Sequence, residues 1–331
     1  MKSDKILILG VTASGKGRLA FDLARKMGAE IISVDSMKVY RRMDIGTAKP
    51  PKQARRRVRY HLIDVIEPSE SFSVKAFLDA TGQAIEQIRG RDKPIIGVGG
   101  TALYIKALLY GLFEGPGADK QIRAALRARA EGQGLEQLHR QLKQVDPEAA
   151  GRIHKNDTKR IIRALEVYEI TGKPISVFQQ QWNDALESPH NAQYAIQNTT
   201  HDWTIIGLRR TKTEENARIN ARVKEMIAAG LVDEVTSLLR EEKPLSPQAR
   251  CAIGYAEIID YLSGKTSLND ATELMKKRTR RLAKNQRTWF KTFTNIHWLD
   301  IGRDEPAEKI LSRTQQLIKD VTSEQDSAST V

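Results

Sequence analysis

The run KILILG, residues 5–10, is apolar from its second to its fifth position, the pattern of a strand covered on both faces. Behind it Leu19, Leu23 and Met27 recur at helical spacing up to Gly28, and the short apolar run EIISV then leads into Asp35. Strand, glycine-rich turn, helix and strand in this order predict the opening of a doubly wound parallel sheet of the P-loop type, in which ligands collect at the carboxyl ends of strands. Asp35, Ser36 and the loop from Gly10 to Gly17 are therefore expected to share one crevice. A helix over 74–89 leads to a further buried strand in KPIIGVGG, and the helical TALYIKALLYG follows, so Thr101 also falls where a strand gives way to a helix.

From FEGPGADK to about residue 200 the chain turns charged, Ala-rich and helical, between Gly and Pro punctuation. The expected organisation is an α/β core from 1–115 and 201–318, a helical insertion over 116–200, and a polar, disordered tail over 319–331. Within the second part of the core, WTIIGLRR reads as a returning strand, 213–229 and 231–240 as helices, the segment after RCAIGYAEIIDYLSG as a long basic helix, and NIHWLD as a last strand. There is no internal repeat.

Composition narrows the classes. In 331 residues no run approaches the roughly 18 apolar residues of a membrane span, and MKSDK leads straight into a strand, so a cytoplasmic chain without membrane contact is expected. Cys251 is the one cysteine, which excludes an internal disulfide and a Cys-rich zinc site. Lys and Arg exceed Asp and Glu by 54 to 41, a net charge of +13 that favours a polyanionic partner. Eight basic residues and no acid lie between Lys276 and Lys291, and six lie between Lys49 and Arg59. Such runs suit a phosphate backbone, although a solvated helix face is the ordinary reason for any one of them.

The chemistry begins at GVTASGKGR. It matches GxxxxGK, whose glycines and amides form a phosphate cradle with Lys16 at the outer phosphates, but Gly17 stands where a Ser or Thr hydroxyl usually ligates Mg²⁺. The anion site survives that loss. Asp35 could hold a ribose, orient a metal-bound water, act as a general base, or simply cap a turn. His61, His139, His154, His201 and His297 lack metal-ligand spacing and read as surface or capping groups. Trp182, Trp203, Trp289 and Trp298 read as packing, and Cys251 as a small, at least partly buried thiol.

Several blocks in order resemble one family, the bacterial tRNA dimethylallyltransferases, also called tRNA isopentenyltransferases. GVTASGKG is similar to the family's GPTASGKT or GPTASGKS, ISVDSMKVYRRMDIGTAKP to its ISxDSxQxYxxxDIGTAKP, and VGGTALYIKALLYG to its VGGTxLYxxALxxG. DPEAAGRIHKNDTKRIIRALEVYEITGKP, RINARVKEMIAAGLVDEV, RCAIGYAEIIDYLSG and TRRLAKNQRTWF have counterparts as well, so the resemblance spans about residues 5 to 300.

The resemblance implies transfer of a dimethylallyl group from dimethylallyl diphosphate to N6 of the adenine 3′ to the tRNA anticodon. It implies that Gly10, Thr12, Ala13, Ser14, Gly15, Lys16 and Gly17 bind the diphosphate. Asp35 would take the N6 proton, Thr101 would contact the bridging oxygen, and Arg222, or as second choice Arg218, would neutralise the leaving group. By the same resemblance Ser36, Met37, Lys38, Arg123, Lys159, Arg160, Arg163, Arg250, Cys251, Gly254 and Tyr255 would meet the tRNA, the helical insertion gripping the anticodon stem-loop. A monomer using Mg²⁺ is expected.

Three positions depart from the family pattern. Val11 replaces Pro; Gly17 leaves Mg²⁺ to the diphosphate and waters or to Ser14, Asp35 or Ser36; Lys38 replaces a Gln able both to accept and to donate, whereas a charged Lys only donates. The loop alone would equally suit a P-loop, ATP-binding kinase of a small metabolite, and the substitutions would suit a non-catalytic RNA-binding relative. Lys16, Asp35, Thr101 and Arg222 together favour the transferase.

Overall fold

Apolar runs without polar alternation fold here as parallel strands, because helices on both faces bury the side chains of the central ones. In the structure, a computed structural model that describes residues 5–112, 115–180 and 203–328, six strands form one sheet. They are β1 (Lys5–Gly10), β2 (Glu30–Val34), β3 (Tyr60–His61), β4 (Ile95–Gly99), β5 (Trp203–Arg209) and β6 (Ile296–Asp300), in the order β3-β2-β4-β1-β5-β6 with every pairing parallel. All residues of β1, β2 and β4 are buried. The chain leaves β1 toward β2 on one side of the sheet and reaches β5 on the other, so the switch point lies at the carboxyl ends of β1 and β4.

Ile6, Ile8, Ile31, Ile96 and Ile206 pack against Leu19 and Leu23 of the helix Lys16–Met27. Partly buried Ile310, Leu311, Leu317 and Ile318 join the same core from the helix Ala307–Ala328. That helix corrects the expected disorder from residue 319: Val321 is buried, and the segment is helical to Ala328. Among the elements not expected are the helix Lys52–Arg57, which has no buried residue, and the two-residue β3. His61, expected at the surface, is instead partly buried with Nε2 2.7 Å from Oε2 of Glu30, which Arg91 also holds.

The chain divides into two compact units, Met1–Leu109 with Asn198–Val331, and Tyr110–Gln197. The second has its own core, in which Leu126, Leu138, Leu142, Ile161 and Leu165 meet from the helices Lys120–Gln133, Leu135–Val145 and Thr158–Thr171. Buried Asp146 caps the short helix Pro147–Arg152 through Oδ1 and accepts the Ser176 amide through Oδ2. The end of the expected insertion, with Trp182, and His201 lie outside the described residues.

Candidate active site

The turn after β1 is shaped by Ala13 (φ 63°) and Gly15 (φ 100°), both in the left-handed region. Three carbonyls of this turn meet a cation. Lys16 Nζ donates to Val11 O at 3.1 Å, Arg218 Nε to Ala13 O at 2.7 Å and Arg210 Nε to Ser14 O at 3.1 Å. The amides of Ala13, Gly15 and Gly17 find no protein acceptor among the described residues. Free amides ahead of a helix N-terminus, with the competing carbonyls already satisfied, make an anion site.

Beyond β2, Asp35 does cap a turn: its Oδ1 accepts the amides of Met37 (2.9 Å) and Lys38 (3.2 Å). Its Oδ2 has no partner among the described residues. Thr101, at the end of β4, accepts the Ser36 amide on Oγ1 at 3.1 Å, which ties the two strand ends together. Arg222, from the helix Lys212–Ala228, donates from Nη1 to Thr12 Oγ1 at 3.3 Å.

These charges feel one another. Burial, then Lys38 and Arg222, hold the Lys16 ammonium down to a pKa of about 7, with Asp35 opposing. Burial lowers Lys38 as well, Asp35 opposing and Arg222 and Lys49 adding to the effect. Burial likewise lowers Arg222, against Asp35 and Glu225. Three cations whose charged forms are disfavoured surround one carboxylate, so the site is short of negative charge, and a diphosphate would supply it.

A second carboxylate shapes the floor. Glu234 accepts the amides of Asp44, Ile45 and Gly46 and the hydroxyl of Tyr255 (2.6 Å), which fixes the DIGTAKP segment. Tyr255 is wholly buried and Gly254 is buried as well, so both have a framework place in this structure. Cys251, expected at least partly buried, is exposed beside exposed Arg250.

Comparison with known proteins places this arrangement. The model of the IPP transferases matches residues 38–293 and that of the isopentenyl transferases residues 4–67. A tRNA dimethylallyltransferase of Geobacter metallireducens is 44% identical over 299 residues, 90% of this chain and 93% of the relative. This chain belongs to the tRNA dimethylallyltransferase family. Among solved structures, the tRNA isopentenylpyrophosphate transferase of Bacillus halodurans has a TM-score of 0.65 at 35% identity, covering 98% of this chain and 99% of that one. A eukaryotic dimethylallyltransferase acting on tRNA has a TM-score of 0.69 at 29% identity, covering 89% of this chain and 73% of that one.

For a dimethylallyltransferase, two expected RNA contacts in the second unit are otherwise engaged. Arg123 binds Glu166 through Nε (2.8 Å) and Nη2 (3.0 Å), and Arg163 binds the same carboxylate (2.7 Å) and Pro116 O. Glu166 is fully buried, so these arginines neutralise it, and the same carboxylate accepts the Asp119 amide at the start of the helix Lys120–Gln133. Lys159 and Arg160, by contrast, are exposed. The basic run on the helix Leu268–Phe290 also divides. Lys276, Arg278, Arg280 and Arg287 contact Glu273, Glu257, Asn220 and Glu215, whereas Lys277, Arg281, Lys284 and Lys291 are exposed and have no partner among the described residues. Their spacing of four, three and seven aligns them on one face.

Proposed function

We propose that the protein transfers a dimethylallyl group from dimethylallyl diphosphate to N6 of the adenine 3′-adjacent to the anticodon in tRNA, releasing diphosphate. The observation that carries this reading is the meeting of a cation-rich amide loop with a carboxylate oxygen, Asp35 Oδ2, that has no partner among the described residues. Breaking an allylic carbon–oxygen bond leaves negative charge on the diphosphate, which the loop amides, Lys16 and Arg222 stabilise. Thr101 Oγ1 accepts the Ser36 amide at 3.1 Å and donates to Ser36 Oγ only at 3.5 Å, a long bond whose proton can turn to the bridging oxygen. The N6 lone pair attacks the allyl carbon while Asp35 Oδ2 takes the proton released from nitrogen. Extruding the adenine costs a few kcal/mol, offset by backbone contacts. Lys159, Arg160, Arg250 and the Ser36–Lys38 turn support those contacts, with the exposed face of the basic helix.

Mg²⁺ fits a shared role here. Among the described residues no three His, Cys, Asp or Glu groups converge, but Ser14 Oγ is a hard oxygen donor in the loop and Asp35 could accept from a metal-bound water, enough for an ion that keeps its waters and the diphosphate as main ligands. When bound it would supply countercharge to the diphosphate. Nothing lies within 4 Å of a Cβ added at Gly17. Gly17→Ser is therefore expected to fold with about 0.5 kcal/mol more stability in urea and to need less Mg²⁺ for half-maximal pyrophosphate binding, read by calorimetry. The reading also implies a monomer working in the cytoplasm.

The test of function incubates the protein with tRNA, dimethylallyl diphosphate and Mg²⁺ and looks for prenylated adenosine by mass spectrometry. Absence of product on tRNAs with adenine at that position overturns the reading, and phosphoryl transfer from ATP would replace it with the kinase. Arg281→Glu with Lys284→Glu is expected to raise the tRNA Kd about tenfold and flatten its salt dependence, with the KM for the prenyl diphosphate unchanged. Filter binding across a salt series checks it.

A further inference from the structure

The ladder between β1 and β4 ends at Leu9 and Gly99, just before the two segments that carry Thr12 and Thr101. Beyond that point one side chain joins them. Gln286, on the inward face of the helix Leu268–Phe290, accepts the Thr12 amide on Oε1 at 2.8 Å and donates from Nε2 to Gly100 O at 2.8 Å. It is 8% exposed, and a Cβ at residue 100 would stand 2.5 Å from its Nε2, so the glycine leaves room for this amide. The Thr12 amide is thereby taken up by Gln286 while the Thr12 hydroxyl meets Arg222. The Gly100 carbonyl is fixed one residue before Thr101, whose hydroxyl meets Ser36. Both arms that reach the diphosphate share this root.

We propose that Gln286 is a positioning residue that sets the spacing between the phosphate loop and the Thr101 turn, and so the fit of the diphosphate between them. This rests on the transferase reading for the identity of the anion, but its test does not require turnover. A carboxamide is suited to the task because it offers one acceptor and one donor to two backbone groups of opposite need. A glutamate in its place keeps the acceptor for Thr12 and regains the donor for Gly100 only when protonated.

The experiment measures inorganic pyrophosphate Kd by calorimetry, tRNA Kd, and kcat for Gln286→Met and Gln286→Glu, each relative to wild type at the same pH and below the unfolding midpoint. Gln286→Met is expected to weaken pyrophosphate about tenfold and to lower kcat at saturating substrate, with the tRNA Kd within about twofold. Gln286→Glu is expected to be as impaired at pH 8 and to recover part of the loss toward pH 5.5, whereas the methionine variant does not. Wild-type pyrophosphate affinity in both variants overturns the proposal, as does a loss in Gln286→Glu that is equal at the two pH values. Should Gln286→Met fail to fold, the pH dependence of Gln286→Glu decides alone. A wild-type protein that binds pyrophosphate but never prenylates tRNA sinks the transferase reading and leaves this comparison intact.

Discussion

Asp35→Asn is expected to lower kcat by about three orders of magnitude, within the range for loss of a general base, while tRNA affinity stays within about twofold. The asparagine carbonyl still accepts the Met37 and Lys38 amides that Asp35 Oδ1 holds, so the turn survives. What disappears is a group able to take the N6 proton, because an amide is not a base near neutral pH. Asp35→Ala removes both functions, and the loosened turn, which carries Ser36 to Lys38, should weaken tRNA as well. Single-turnover prenylation and tRNA binding measured on the two variants therefore separate proton transfer from turn geometry. A wild-type rate for Asp35→Asn would leave Asp35 a turn residue only.

Local pattern made the sheet legible, because each buried strand is a contiguous apolar run bounded by glycine or a turn. It missed β3 and the helix Lys52–Arg57, since two residues give no period and KQARRR has no apolar face to reveal it. The last helix was legible in principle. Ile310, Leu311, Leu317, Ile318 and Val321 follow helical spacing, and the polar residues around them masked it.

At the site, residue types at strand ends pointed to Lys16, Asp35 and Thr101, which the fold does bring to one crevice. Sequence could not separate arginines that meet solvent from arginines that serve the fold, because the partner is remote: Glu166 lies 43 positions from Arg123, and Glu215 lies 72 from Arg287. Tyr255 and Glu234 pose the same difficulty, as does Arg210, whose target is a carbonyl 196 residues away. Gln286 did leave a trace. It is a polar residue in step with Met275, Ala283 and Phe290 on the buried face of a helix, and a polar side chain in that register needs partners.

Lys16→Met is expected to weaken pyrophosphate about a hundredfold, the scale for removing one member of a buried charge pair, and its pH dependence carries the sharper information. Burial, with Lys38 and Arg222 beside it, brings the wild-type ammonium to a pKa of about 7 in the free protein. A bound diphosphate favours the charged form, so binding above that pH must first protonate the amine. The advantage of wild type over Lys16→Met should be constant below about pH 7 and shrink by about one log unit per pH unit above it; taking the difference cancels the titration of pyrophosphate itself. Stability moves the opposite way. The folded pKa lies below the unfolded value of 10.5, so the unfolded chain holds the proton more tightly, and wild type should gain stability relative to Lys16→Met as pH rises from about 7 toward 10.5. Urea midpoints and pyrophosphate calorimetry over that range check both signs. A flat difference in affinity would mean that Lys16 stays charged throughout and that the neighbouring cations do not govern it.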